Sequence, residues 1–122
     1  MILVDTSVWI DHLRRGNKVL AGFLSEAVVL IHPFIAGELA CGNLKNRTEL
    51  LRYLNALPLA TVASNEEVMH LIEERKLAGC GIGWVDAHLL ASALLSNGRF
   101  WTADERLQRA GEQAGAKIYS DG

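Results

Sequence analysis

The feature that most limits the possible folds is a short apolar run at the start of the chain that ends in a carboxylate. Ile2, Leu3 and Val4 are consecutive apolar residues, and Asp5 follows them directly. Such a run is typical of a strand buried on both faces, as in a parallel sheet covered by helices. Helical spacing of apolar residues begins at Val8. Asp5 is therefore predicted at the carboxyl end of a buried strand, where open α/β sheets bind their ligands.

The same alternation of strand and helix continues along the chain. The pattern predicts further strands at residues 28–31, 59–62, 100–102 and 116–119, and helices at residues 19–26, 33–42, 47–57, 64–77, 84–96 and 105–114, in addition to the helix after Asp5. This alternation predicts a parallel sheet between two helical layers, with the carboxyl ends of all strands at one edge. Asp104 follows the strand at 100–102 as Asp5 follows the first strand. If these two strands are neighbours, both carboxylates flank the topological switch point.

Length and composition predict one domain over residues 1–122, of which 50% are hydrophobic and 21% charged. No apolar stretch approaches the roughly 20 residues of a membrane span, and the N-terminus lacks a signal-peptide pattern. We therefore expect a cytoplasmic protein with no membrane partner. The net charge of −2 gives no overall sign of nucleic-acid binding. Cys41 and Cys80 are expected to be free thiols.

Two further acidic residues interrupt apolar helical segments. Glu38 is embedded in an apolar stretch, and Asp86 lies in the first turn of the most apolar helix. Each acidic residue alone is explained as a helix cap or an exposed side chain. If Glu38 and Asp86 converge with Asp5 and Asp104, the four would raise one another's pKa and would favour a bound cation. Carboxylate oxygens are the ligands of Mg²⁺ and Mn²⁺.

Four segments form a recognisable pattern when they are taken together and in order. They are residues 4–10 (VDTSVWI), 36–42 (AGELACG), 84–91 (WVDAHLLA) and 101–107 (WTADERL), and they span essentially the whole chain. This pattern resembles the PIN-domain ribonucleases, and within them the VapC-type toxins of prokaryotic toxin–antitoxin pairs. The resemblance implies a PIN-like three-layer α/β/α sandwich with a central parallel sheet of four to five short strands. It also implies Mg²⁺- or Mn²⁺-dependent cleavage of RNA phosphodiester bonds.

The family pattern carries over to an acidic quartet in which no residue is replaced. Asp5, Glu38, Asp86 and Asp104 are thereby implied as catalytic residues and metal ligands. We expect Asp5, together with Asp86 or Asp104, to bind the metal directly. Glu38 is expected to act through water, as a base or as a residue that supports the ligands.

Hydroxyl and basic side chains are further candidates. Thr6, Ser7 and Thr102 are expected to orient water or a phosphate, with helix capping as the alternative role. Basic residues could follow the RNA backbone or form a solvated surface; they are Arg14, Arg15, Lys45, Arg47, Arg99 and Arg106. The histidines (His12, His32, His70 and His88) show no metal-ligand spacing.

The resemblance also implies partners. These are a VapB-like antitoxin, a second copy of the chain in a homodimer, and DNA that is bound through the antitoxin. A binding module without turnover, whose acidic pocket holds a basic segment of a partner, is the alternative function. A phospho-aspartyl phosphatase would need an Asp in place of Ser7, and a receiver domain would need a Lys where the late strand ends in Asp104.

Overall fold

A computed structural model describes residues 1–120 of the chain. Its strands are β1 (Ile2–Val4), β2 (Val29–Leu30), β3 (Arg99–Trp101) and β4 (Lys117–Ile118). They form a parallel sheet in the order β2-β1-β3-β4. The chain adds β2 on one side of β1 and then β3 and β4 on the other side. The topological switch point therefore lies between β1 and β3, which confirms that the strands before Asp5 and Asp104 are neighbours.

Seven helices connect the strands in the part of the chain that the structure describes. They are α1 (Thr6–Arg15), α2 (Lys18–Ser25), α3 (Pro33–Ala40), α4 (Arg47–Asn55), α5 (Asn65–Glu74), α6 (Trp84–Leu95) and α7 (Glu105–Gln113). The predicted helices are all present, and the one predicted to reach residue 77 ends earlier, at Glu74. Pro33 occupies the first turn of α3, where its missing N–H costs no hydrogen bond.

The strand predicted at residues 59–62 is wrong. Leu59 forms only a single parallel bridge with Ile31. Leu59 and Val62 are 63% and 47% exposed, so extending the pairing would bury little apolar surface. The preceding Pro58 contributes a carbonyl to Ile31 but has no N–H to donate. The sheet accordingly has four strands, within the predicted range.

The helices cover both faces of the sheet. Because parallel crossovers are right-handed, the connection that adds β2 lies on the opposite face from those that add β3 and β4. Phe23 of α2 packs edge-to-face on Trp101 and Tyr119. On the other face α7 approaches α6 at Gly111, where a Cβ would lie 3.2 Å from the Cδ2 of Leu90. The predicted three-layer arrangement is confirmed.

The centre of the sheet is fully buried. Leu3, Val4 and Phe100 are completely excluded from solvent, as are Leu89 and Leu90 of α6. This packing makes β1 and β3 a rigid base for the residues that follow them. Among residues 1–120, no helix has the length and apolarity that are needed to cross a membrane.

Candidate active site

The site begins where β1 and β3 end. The backbone N–H of Asp5 donates to the carbonyl of Trp101 at 2.8 Å, so the ladder between the two strands continues one residue beyond β1. Asp5 is only 7% exposed. Its position is therefore fixed by the sheet rather than by a flexible loop, and its carboxylate lies beside the turn that carries Asp104.

Two hydroxyl groups hold the carboxylate of Asp5. The Oγ of Ser7 and the Oγ1 of Thr102 each donate to Oδ2 of Asp5 at 2.8 Å. Each hydroxyl in turn accepts a backbone N–H, Ser7 from Ala103 at 3.0 Å and Thr102 from Asp104 at 3.1 Å. Ser7 and Thr102 therefore orient a carboxylate in this structure, and the helix-capping alternative does not describe their hydrogen bonds.

In each of the other three acidic residues, one carboxylate oxygen likewise accepts at least one hydrogen bond. Oε1 of Glu38 accepts from Oγ1 of Thr6 at 2.8 Å. Oδ2 of Asp86 accepts from the N–H of Gly83 at 3.2 Å, at the start of α6. Oδ1 of Asp104 caps α7 through two backbone N–H groups, of which the nearer is 2.9 Å away. Thr6 thus connects the start of α1 to α3 through Glu38.

The second oxygen of each carboxylate accepts no hydrogen bond from residues 1–120. Nor do these four carboxylates form an ion pair within that range, where the ion pairs are Arg15–Asp11 and His70–Glu74. Four acidic side chains near the switch point therefore each have a carboxylate oxygen available to a ligand.

The other three acidic residues influence the pKa of Asp86 through their charges. Burial raises the pKa of Asp86 above its usual value, and the charges of Asp5, Asp104 and Glu38 raise that pKa further. The N–H of Gly83 opposes this shift by stabilising the charged form. Asp86 therefore lies within electrostatic range of all three other members of the predicted quartet.

The donor chemistry fits a hard divalent cation, because it consists of several carboxylate oxygens whose charges are not balanced by a basic side chain. As the side chains stand, no group of three or more His, Cys, Asp and Glu residues among residues 1–120 is arranged to hold a metal ion.

The predicted basic residues lie in several different places. Arg14 and Lys45 line a groove that also includes Glu38. Arg47 donates to the carbonyls of Ala40 and Gly42 at the end of α3. Arg15 pairs with Asp11. The side chain of Arg106 lies against Gly81. Arg99 begins β3, at the opposite edge of the sheet from the acidic residues.

The groove beside Glu38 has a volume of about 410 Å³. Its apolar lining comes from α1, α3, α4 and the segment before α4, namely Ile10, Leu13, Leu39, Leu44 and Leu50. Ile10 and Leu13 are 37% and 39% exposed. The groove thus places exposed apolar side chains next to one of the acidic residues, Glu38.

A cluster of rings beside the site was not predicted from the sequence. His32, Phe34, His88 and Trp84 contact one another in that order, with ring centroids 5.0, 5.0 and 4.6 Å apart. His32 and His88 are buried, which lowers the pKa of both imidazoles, that of His32 to about 4. The available signal was the spacing of Trp84 and His88, which are four residues apart and therefore lie on one face of a helix.

Comparisons with known proteins agree with this architecture. The family model of the PIN domain matches residues 2–113. Ribonuclease VapC32 of Mycobacterium tuberculosis, in strains CDC 1551 / Oshkosh and ATCC 25618 / H37Rv, is 43% identical over 119 residues, which cover 97% of this chain and 96% of that protein.

Solved structures with a similar fold include FitAcB from Neisseria gonorrhoeae, with a TM-score of 0.68 at 20% identity over 98% of this chain and 97% of the other. PAE2754 from Pyrobaculum aerophilum has a TM-score of 0.64 at 19% identity over 96% and 82%. FitAB bound to an IR36 DNA fragment has a TM-score of 0.66 at 20% identity over 98% and 94%. These likenesses establish the fold, and the match to the family model and to VapC32 establishes the family. The chain belongs to the PIN-domain family, among the VapC-type ribonucleases.

Proposed function

We propose that residues 1–122 form a single PIN domain that acts as a toxin in the cytoplasm, an Mg²⁺- or Mn²⁺-dependent endoribonuclease that cleaves RNA phosphodiester bonds. The observation that carries the proposal is a set of four carboxylates, that of Asp86 and the three whose charges raise its pKa. In each, one oxygen accepts no hydrogen bond from residues 1–120. The 43% identity to a ribonuclease over nearly the whole chain supports it.

The residues that would hold the ion are Asp5, with Asp86 or Asp104, while Glu38 acts through water. A divalent ion bound there supplies charge that polarises a phosphoryl oxygen and lowers the pKa of water towards neutrality. Only one carboxylate oxygen of Glu38 accepts a hydrogen bond from Thr6, so the other oxygen is suited to accept a proton from water. This assignment keeps the division of roles that the sequence suggested.

The hydroxyl residues contribute by positioning. Ser7 at the start of α1 and Thr102 just after β3 fix one oxygen of Asp5, so the rotamer of Asp5 is set before any ligand binds. Preorganisation of this kind reduces the cost of assembling a catalytic site. The same function explains why the hydroxyls of Ser7 and the buried Thr102 donate to a carboxylate that could have capped α1.

The proposal is tested with the purified protein, a mixture of cellular RNAs and the cations Mg²⁺, Mn²⁺ and Ca²⁺. We expect Mg²⁺ or Mn²⁺ to produce internal cleavage, and EDTA to abolish it. Sequencing the new RNA ends identifies the target. If no RNA is cleaved with either cation and a basic peptide binds the acidic site instead, the chain is the binding module without turnover.

We further propose a VapB-like antitoxin that uses both the groove and the acidic site. The groove offers apolar anchor positions such as Ile10, Leu13 and Leu50 next to Glu38. An Arg or Lys of the antitoxin would reach Asp5, Asp86 or Asp104, because a guanidinium is planar, permanently charged and bidentate towards carboxylates. FitAB, which has a similar fold, is bound to a DNA fragment in its structure, and this supports an assembly on DNA. In the assembly that we propose, a homodimer of this chain binds the antitoxin, and the antitoxin binds the DNA.

Two antitoxin variants separate these contributions. Replacing its basic residues with Ala should retain the complex through the groove but restore part of the ribonuclease activity. Replacing its apolar anchors should weaken the complex itself. Full inhibition by the variant without basic residues would show that the groove alone blocks the site. The mass of the free toxin in solution, measured by light scattering, tests the homodimer.

A further inference from the structure

Two aromatic side chains stand exposed at the amino ends of two neighbouring helices. Phe34 is the second residue of α3 and is 37% exposed, while Trp84 is the first residue of α6 and is 43% exposed. The buried ring of His88 lies between them, with its centroid 5.0 Å from that of Phe34 and 4.6 Å from that of Trp84. The two exposed rings thus belong to one surface.

This surface adjoins the acidic site. Phe34 and Glu38 are four residues apart on α3, which places their Cβ atoms about 5–6 Å from each other on one helix face. Trp84 shares the first turn of α6 with Asp86. A ligand that contacts these rings is therefore within one helical turn of two members of the acidic quartet.

The rings are held in place before a ligand binds. His32 accepts the backbone N–H of Phe34 through Nδ1 at 3.0 Å, and its ring contacts that of Phe34. His32 and His88 are 0% and 3% exposed. Because the supporting rings are packed in the interior, little conformational freedom remains to be lost when a flat group stacks on Phe34 or Trp84.

Among the basic side chains, Arg14 and Lys45 line the groove beside Glu38 and can attract RNA there. The chain carries a net charge of −2, and the acidic residues repel phosphate. The side chains of Arg15 and Arg47 are already engaged by Asp11 and by backbone carbonyls. Stacking on an aromatic ring does not depend on the charge of the protein, and every nucleobase offers a face for it.

We propose that Phe34 and Trp84 form a stacking platform for one unpaired nucleobase next to the phosphodiester that is cleaved. The inference rests on the proposed ribonuclease function, and it requires that the stacked base is unpaired. Phe34 and Trp84 bind and position the RNA, and the acidic quartet performs the chemistry.

The kinetic test compares Trp84→Ala with Leu95→Ala on a short single-stranded RNA of the identified target sequence. Leu95 is the matched control, since it is 45% exposed at the opposite end of the same helix. Loss of the stack should raise KM about 5- to 150-fold, with kcat much less affected. Trp84→Phe should recover most of the loss, and Leu95→Ala should behave as the wild type.

A second arm replaces single bases of the RNA with abasic sites. At the position that stacks, the abasic site should weaken cleavage by the wild type and have no further effect on Trp84→Ala, because both changes remove the same contact. Equal effects of the abasic site on both proteins at every position would overturn the inference.

Tryptophan fluorescence provides a measurement that does not need turnover. Trp9 and Trp101 are 1% and 5% exposed, so a bound base can quench chiefly Trp84. RNA added to the Asp5→Asn protein should quench its emission, and double-stranded RNA should not. The platform is wrong if RNA does not quench the Asp5→Asn protein and Trp84→Ala keeps its KM. If the wild type still cleaves RNA, the ribonuclease proposal stands. If Trp84→Ala instead converts a dimer to a monomer, the rings bind a second copy of this chain.

Discussion

Asp5 and Asp104 occupy equivalent places in two neighbouring strand–helix turns. Each follows a strand directly or within a few residues, and each is the residue before a helix. Asp104 caps its helix through Oδ1, whereas the side chain of Asp5 makes no capping hydrogen bond. The same residue type in the same local setting is therefore used in two different ways.

The difference arises from the neighbouring strand. Thr102, at the end of β3, directs its hydroxyl across to Asp5, and Ser7 adds a second hydrogen bond. Asp5 thereby forgoes a capping bond, which usually contributes about 0.5–2 kcal/mol to stability. A buried carboxylate that accepts from two hydroxyls and makes no capping hydrogen bond is suited to a ligand, whereas Asp104 also contributes to the stability of α7.

The largest expected effect comes from Asp5→Asn. The amide can still accept from Ser7 and Thr102, so the fold should be retained, but a charged oxygen is lost from the site. We expect cleavage to fall about 1000-fold or more, since a metal-assisted step depends on several kcal/mol of charge stabilisation. Initial rates with Mg²⁺ measure the effect, and Asp11→Asn is the control, since Asp11 is a partly exposed acid on α1 outside the quartet. Undiminished cleavage by Asp5→Asn would remove Asp5 from the site.

The hydroxyls that distinguish Asp5 from Asp104 should have the next largest effect. Thr102→Val keeps the side-chain shape and removes the bond to Asp5. We expect cleavage to fall about 10- to 100-fold, the range for residues that orient metal ligands. Ser7→Ala should act similarly, and the double variant should lose less than the product of the two, because both bonds hold one oxygen. Multiplicative effects would mean that the two hydroxyls act independently.

Much of this arrangement was predictable because it depends on local patterns. The apolar runs before Asp5 and Asp104 and the alternation of strands with helices led to the parallel sheet and its switch point. The weak strand at 59–62 was overpredicted, because apolar residues there remain exposed instead of pairing. A propensity for strand structure is realised only where tertiary packing buries it.

The hydrogen bonds of the site could not be predicted in the same way. Thr102 and Asp5 are 97 residues apart in sequence, and only the register of β1 on β3 brings them together. The contact of His88 with Phe34 likewise depends on how α6 packs beside α3. Local sequence left both capping and ligand positioning open for the hydroxyls, and the contact with Asp5 depends on long-range strand pairing.

The capping role of Asp104 should have a moderate effect on stability. Asp104→Ala removes the acceptor for two backbone N–H groups and should cost about 1 kcal/mol of unfolding free energy. Asp104→Asn can still cap and should cost a few tenths of that at most. Urea unfolding in EDTA compares them. Equal losses in the two variants would show that the charge at Asp104, rather than its hydrogen bonds, stabilises the fold.

The smallest expected effect concerns Asp86, whose pKa is raised by the charges of both Asp5 and Asp104. Its pKa is raised above 3.8 by burial first and by Asp5, Asp104 and Glu38 next. The folded state therefore holds this proton more tightly than the unfolded chain, and the resulting stability is present below the unfolded pKa and lost as pH rises through the folded pKa. At about pH 7 the charged form costs stability in the absence of metal. Asp86→Asn should thus raise the Tm in EDTA, by only a degree or two since solvent screens a half-exposed group.

The difference between Asp86→Asn and the wild type should shrink as pH falls through the raised pKa of Asp86, where the wild type gains its proton. Burial of His32 also makes the fold less stable over this range, since its pKa is lowered to about 4, but that loss is common to both proteins and cancels in the comparison. Mg²⁺ or Mn²⁺ at millimolar concentration should raise the Tm of the wild type and raise that of Asp86→Asn less, because the variant offers the ion one carboxylate fewer. Thermal unfolding at several pH values, with and without metal, measures both. A variant that is less stable than the wild type in EDTA at neutral pH would mean that the hydrogen bond of Asp86 to Gly83 outweighs the repulsion among the four carboxylates.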